Sequence, residues 1–174
     1  LNTPVDVDGL RVSSSLVRRL LAEGNVAEAC RCLGRPYRIT GNVAHGFEEG
    51  RKMGFPTANI ASLCTEQLIP QTGAYAVSVS IEGGKGMPAM MNIGNNPTFQ
   101  RNSLTLEAHI IGFEGDIYGR QVSVDFIQRL RGEERFGSVD ELMAQLQKDL
   151  SATKQIWSTQ RHSPTIANKN NSII

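Results

Sequence analysis

The sequence predicts a mainly β fold, an antiparallel barrel or sandwich, with a short helical segment before it and one long helix after it. Three observations carry that prediction. From Tyr37 onward, five or six segments alternate in character with a period of two, the side-chain period of a strand. Gly, Pro, Asn or Asp bounds each one, and no helical pattern interleaves them as a parallel sheet would require. On either side of this region the apolar spacing changes to that of a helix.

Taken in order, Leu1 to Gly9 is polar and Asp-rich and is expected to be poorly ordered. "SSSLVRRLLAEGNVAEACRCLG" then reads as two short helices. Ser13 or Ser14 supplies the first N-cap, with Leu16, Leu20 and Leu21 at helical spacing, and Gly24 stops the helix. Val26, Ala29, Cys30 and Leu33 make the apolar side of the second helix, which Gly34 ends. The strand candidates follow as "YRITGNVA", "GAYAVSVSI", "MPAMMNIG", "LTLEAHIIGF" and "RQVSVDFIQRL". Finally, "SVDELMAQLQKDLSATKQIW" is one amphipathic helix, opened by a capping box of Ser138 and Glu141. Val139, Leu142, Met143, Leu146 and Leu150 form its core-facing stripe. After Trp157 the chain reads as a frayed tail.

Composition narrows the function classes. Of 174 residues, 40% are apolar and 20% charged, which suits one globular domain with an appendage. No apolar run approaches the roughly 20 residues of a membrane-spanning helix. A formal charge of +1 gives no bulk field for nucleic acid or a membrane surface. The three cysteines are an odd number without zinc spacing, so small buried thiols in a reducing cytoplasm are expected. The first residue is Leu1 and no signal-peptide pattern follows, so the chain reads as a piece of something longer or as having a processed or engineered start.

Four stretches carry chemistry. In "GRKMGFPTANI", extended backbone would put Phe55, Thr57 and Asn59 on one face, with the last two about 6.6–6.8 Å apart. A hydroxyl and an amide oxygen so placed suit magnesium, which prefers hard oxygens and keeps waters and phosphates among its ligands; a turn cap is the plainer reading. Just upstream, "TGNVAHGFEEGRKMG" is punctuated by Gly41, Gly46, Gly50 and Gly54. Glycines let backbone N–H groups approach a phosphate, and Arg51 and Lys52 add charge. The usual phosphate-loop pattern is absent, and a glycine-rich turn alone has no ligand. In "LTLEAHI", Leu104, Leu106, Ala108 and Ile110 share the face expected to enter the core. Thr105, Glu107 and His109 share the other, where Glu107 is either an exposed strand residue or a proton acceptor. In "LRGEERF", alternating charges suit a solvated loop, and an Arg beside an aromatic also suits a flat polar ring.

Together "GRPYRITGNVAHGFEEGRKMGFPTANI", "GAYAVSVSI", "MNIGNNPTF", "LEAHIIGFEGDIYG" and "VDFIQRLRGEERFGSVDELMAQLQKD" resemble the riboflavin kinases, in the order that family has them. The resemblance covers about Gly34 to Asp149, and "GFPTAN" is its most specific part. "RVSSSLVRRLLAEGNVAEACRCLGRPY" is similar to the end of the nucleotidyltransferase half of bacterial bifunctional riboflavin kinase/FAD synthetases. The resemblance therefore implies a helical remnant at 1–35 and a kinase domain at 36–157, and the polar composition of 158–174 reads as a disordered tail. It implies a six-stranded Greek-key barrel with the long helix packed outside. It also implies a cytoplasmic enzyme that uses ATP and magnesium to phosphorylate the terminal ribityl hydroxyl of riboflavin, giving FMN. By motif match Thr57 and Asn59 bind magnesium and phosphate, Gly46, Gly50, Lys52 and Gly54 lie in the phosphate loop, and Glu107 is the catalytic residue. Tyr118 falls where the family contacts nucleotide, and Asn92, Arg131 and Phe136 border the flavin. FAD synthesis, nucleic acid and membrane are not expected of this chain. Two rival readings remain: a barrel that binds nucleic acid, and a flavin-binding module without turnover.

Overall fold

Alternating Val, Ile, Tyr and Ala positions wrap the middle of the chain into a closed barrel. The computed structural model describes residues 6–7, 10–45, 54–62, 66–96 and 103–162. A short ladder pairs β1 (Asp6–Val7) with β2 (Leu10–Arg11), within and just after the segment expected to be poorly ordered. Helices α1 (Ser14–Ala22) and α2 (Val26–Leu33) follow. The barrel strands are β3 (Tyr37–Ala44), β4 (Ala58–Ser62), β5 (Gly73–Ile81), β6 (Met87–Asn96), β7 (Ser103–Ile110) and β8 (Gln121–Arg131). They close in the order β3-β4-β7-β6-β5-β8, and every neighbouring pair is antiparallel. The last element is α3 (Val139–His162).

The interior is apolar. Ile39, Val43, Ile60, Tyr75, Val77, Val79, Met91, Ile93, Leu106, Ala108, Val122, Val124 and Phe126 are buried in one cluster. Tyr75 meets Phe126 edge to face at 5.3 Å, within the range where such pairs add to simple burial. On the other face of β5, Ala74 and Ala76 are also buried, because α3 packs across β5 and β6 from outside. At Gly41 the backbones of β3 and β4 leave no room for a side chain: a Cβ there would lie 2.4 Å from the Ala61 carbonyl oxygen.

Caps explain where the helices begin. Ser13 Oγ accepts from the Leu16 N–H at 3.1 Å, and Gly34 closes α2 in the left-handed region at φ 68°. At α3, Ser138 Oγ accepts from the Glu141 N–H at 3.2 Å, while Glu141 Oε2 accepts from the Gly137 N–H at 2.8 Å. The capping box is therefore present, its return bond shifted one residue upstream.

Three expectations change. Leu104 was expected in the core and is 45% exposed, because it lies near the start of β7 opposite Asn95, beyond the packed interior. Val139, assigned to the core-facing stripe, is 64% exposed as the first residue of α3. Residues 158–162, assigned to the tail, continue α3, with Ser158 and Thr159 hydroxyls bonded back to the Gln155 carbonyl.

Candidate active site

Strand register assembles the centre of the site. Asn59 on β4 is the cross-strand partner of Glu107 on β7, and Asn92 on β6 is the partner of Glu107 on its other side. In antiparallel ladders, partners point to the same face, so Asn59, Glu107 and Asn92 form a row outside the barrel. The adjacent row, Ala58, Ala108 and Met91, faces inward and packs in the core. Thr57 Oγ1 points at Glu107 Oε2 across 3.5 Å. That is longer than an ordinary O–H···O bond, so the hydroxyl and carboxylate are adjacent without being locked together.

The entry to β4 is fixed from below. Gly54 takes a left-handed φ of 76°, open to any L side chain only at a strain cost, and turns the chain into Phe55. Phe55 is buried and meets the His109 ring edge-on at 5.2 Å. Gly46, Gly50 and Lys52, the other expected phosphate-loop residues, lie outside the described residues.

Beside Thr57 opens a cavity of about 650 Å³ at one end of the barrel, lined by Val43, Thr57, Ala108, Phe113, Asp116 and Tyr118 among others. Backbone bonds from Val43 N–H to the Arg120 carbonyl and from Gly119 N–H to the Val43 carbonyl tie the 117–120 turn to the end of β3. An Asp116 carboxylate oxygen accepts from the Tyr118 N–H at 2.9 Å, which sets that turn. As a result the Tyr118 ring stacks on His45, centroids 3.9 Å apart and planes within 22°. His45 was not singled out from the sequence; its place at a strand end before a glycine-rich stretch was the only signal.

On the opposite side, β8 delivers Arg131. Its Nε and Nη2 each donate to Asp149 Oδ2 at 3.0 Å, and Nη1 donates to the Gly132 carbonyl at 3.2 Å. Its guanidinium carbon lies 5.5 Å from the Phe136 ring centroid, within cation–π range. Arg131 and Phe136 thus hold the 132–137 loop against α3. Nearby, a Cβ built on Gly94 would approach Asn92 Nδ2 at 3.2 Å and Glu133 Oε1 at 3.8 Å, so that loop reaches the Asn92 end of the Glu107 row.

Among the described residues no group of three or more His, Cys, Asp or Glu side chains could hold a metal ion. The donors gathered near Glu107 are instead a Thr hydroxyl and an Asn amide. Such a neutral oxygen set fits a magnesium ion whose remaining ligands are water and phosphate, and it does not fit a soft metal.

The family model described as riboflavin kinase matches residues 33–157. A bifunctional riboflavin kinase/FMN adenylyltransferase of Pseudomonas fluorescens is 42% identical over 159 residues, covering 91% of this chain and 50% of that protein. The Escherichia coli K12 protein of the same name is 44% identical over 149 residues, covering 86% of this chain and 47% of its own length. The chain therefore spans about half the length of these curated relatives. Among solved structures, a Streptococcus pneumoniae chain described as a macrolide-efflux protein superposes with a TM-score of 0.81 at 38% identity, covering 87% of this chain and 49% of that one. A riboflavin kinase from Trypanosoma brucei superposes with a TM-score of 0.54 at 26% identity, covering 72% and 79%.

Proposed function

Because the chain belongs to the riboflavin kinase family, we propose that it transfers the γ-phosphoryl group of magnesium-bound ATP to the terminal ribityl hydroxyl of riboflavin. The products are FMN and ADP. The observation that carries this reading is the Glu107 carboxylate, 3.5 Å from the Thr57 hydroxyl and flanked in register by Asn59 and Asn92.

Glu107 accepts the proton of the ribityl hydroxyl as that oxygen forms its bond to the γ-phosphorus. The bond from γ-phosphorus to the ADP oxygen breaks, and Glu107 then returns its proton to solvent. Thr57 and Asn59 hold the magnesium ion, which when bound neutralises phosphate charge. By motif match, Gly46, Gly50, Lys52 and Gly54 are the residues that would bind the phosphates. Tyr118, backed by His45, offers a flat wall for the nucleotide in the 650 Å³ cavity. Asn92 and Phe136 border the flavin, and Arg131 serves that side by anchoring the loop. With little covalent chemistry for the protein to do, positioning and charge neutralisation supply most of the rate.

The relatives' names join this activity to FMN adenylyltransferase activity. A nucleotidyltransferase domain before α1 in the longer protein is the partner we propose, with α1 and α2 as its last helices. Among the described residues no helix is long and apolar enough to cross a membrane. A cytoplasmic location is part of the same proposal and follows from the family resemblance.

The test is an incubation of the purified chain with riboflavin, ATP and magnesium, resolved by chromatography. FMN that disappears with EDTA, without FAD, is expected. Tight riboflavin binding without FMN would favour a non-catalytic flavin module.

A further inference from the structure

The β4–β7 ladder stops early, and a side chain takes over from it. Ala58 pairs with Ala108 and Asn59 with Glu107; continuing that register would set Thr57 opposite His109. The backbone ladder ends there, and the preceding Pro56 has no N–H to extend it. Instead His109 Nδ1 lies 2.9 Å from the Pro56 carbonyl oxygen. A carbonyl only accepts, so Nδ1 carries the proton and donates. On the same ring, Phe55 packs edge-on at 5.2 Å.

We propose that His109 is a positioning residue for phosphoryl transfer: it holds the Pro56–Thr57 peptide so that the Thr57 hydroxyl stays beside Glu107. The Pro56 carbonyl belongs to the peptide unit whose nitrogen is that of Thr57, so fixing it fixes where the Thr57 side chain departs. One strand, β7, therefore carries the carboxylate and, two residues on, the imidazole that sets the distance to the facing hydroxyl. The 3.5 Å gap between Thr57 Oγ1 and Glu107 Oε2 depends on a side-chain bond rather than on the ladder. His109 acts through Thr57 and is not among the residues that line the cavity.

The proposal rests on the reading of Thr57 as a ligand of magnesium-bound ATP, and the test separates the two. His109→Phe keeps the ring against Phe55 and removes the donor; His109→Asn keeps an N–H donor on Cγ, where Nδ1 stands. Thr57→Ala is the control. Hydrogen exchange of a peptide spanning 54–60 is followed without ligands, and magnesium-ATP and riboflavin affinities are measured by calorimetry. Loss of one such bond corresponds to roughly tenfold at the upper end. His109→Phe should speed exchange and weaken magnesium-ATP binding by up to about tenfold, with riboflavin affinity unchanged. His109→Asn should recover most of both. Normal magnesium-ATP affinity in His109→Phe beside weakened binding in Thr57→Ala would overturn the proposal and leave the site reading standing. Normal affinity in all three would remove Thr57 from the site and the proposal with it. Equal losses in the Phe and Asn variants would overturn the donor role. If His109→Phe does not fold, His109→Leu takes its place in the same comparison.

Discussion

Removing the Asp149 carboxylate should destabilise the protein far more than an ordinary surface ion pair would. Asp149 is only 5% exposed on α3. Its oxygens accept from Arg131 Nε and Nη2 at 3.0 Å and from Gln145 Nε2 at 2.9 Å. Arg131 itself is 14% exposed at the side chain, so Asp149→Ala strands a cation away from water. Breaking one partner of such a pair costs about 3–5 kcal/mol, against about 0–1 for an exposed pair. Arg131 keeps the Gly132 carbonyl and the Phe136 ring, which points to the lower end, about 3 kcal/mol. For a chain of this size that lowers Tm by about 6–12 °C. Urea unfolding and calorimetry measure it. The double variant Arg131→Met/Asp149→Leu should regain most of the loss, since apolar replacement of a buried pair is often neutral or better. A single-variant cost below about 1 kcal/mol, or a double variant as unstable as the single, would refute the reasoning.

Gly41→Ala should cost about 1–3 kcal/mol or more, because its Cβ meets the Ala61 carbonyl oxygen at 2.4 Å and Ile60 Cγ2 at 2.5 Å; thermal melts decide, and an unchanged Tm would show that β3 and β4 can separate freely. Tyr118→Leu should weaken magnesium-ATP binding by about two- to tenfold through loss of ring stacking, with riboflavin affinity unchanged; calorimetry showing normal ATP affinity would take Tyr118 out of the nucleotide wall. Burial, with Asp125 nearby, pushes the Cys30 thiol up from its ordinary value. Less thiolate is then present at a given pH, so Cys30 should alkylate more slowly than a free thiol at pH near 8 and catch up as pH rises. Peptide mass spectrometry after iodoacetamide treatment reads this, and a rate equal to that of a free thiol at pH near 8 would contradict it.

The sequence showed the barrel strands well because their period is local. β3 and β5 coincide with the segments "YRITGNVA" and "GAYAVSVSI". Strand parity also put Thr57 and Asn59 on one face of their stretch and Glu107 on the face of its strand away from the core. Neither strand parity nor helical spacing says how far the facing wall extends, so Leu104 by the first and Val139 by the second fall on a core that ends before reaching them. The β1–β2 ladder is two residues per strand, too short to show a period. Nor does local pattern reveal register between distant strands, which is what brings Asn59 and Asn92 to either side of Glu107. Asp149 is an unremarked residue in the sequence of the last helix, and only folding gives it Arg131 as a partner. The same holds for Arg131, expected at the flavin, whose guanidinium is engaged by Asp149 and Phe136. The stack of His45 on Tyr118 joins two loops through backbone bonds that no motif encodes.

The central claim is that Glu107 takes the proton from the riboflavin hydroxyl. Glu107→Gln keeps the shape of the side chain and removes the base. A positioned general base contributes about 10²–10⁴-fold, or roughly 3–5 kcal/mol. Single-turnover FMN formation at saturating riboflavin and magnesium-ATP should fall by that factor, with both affinities and Tm retained. Near-normal turnover in Glu107→Gln would contradict the account.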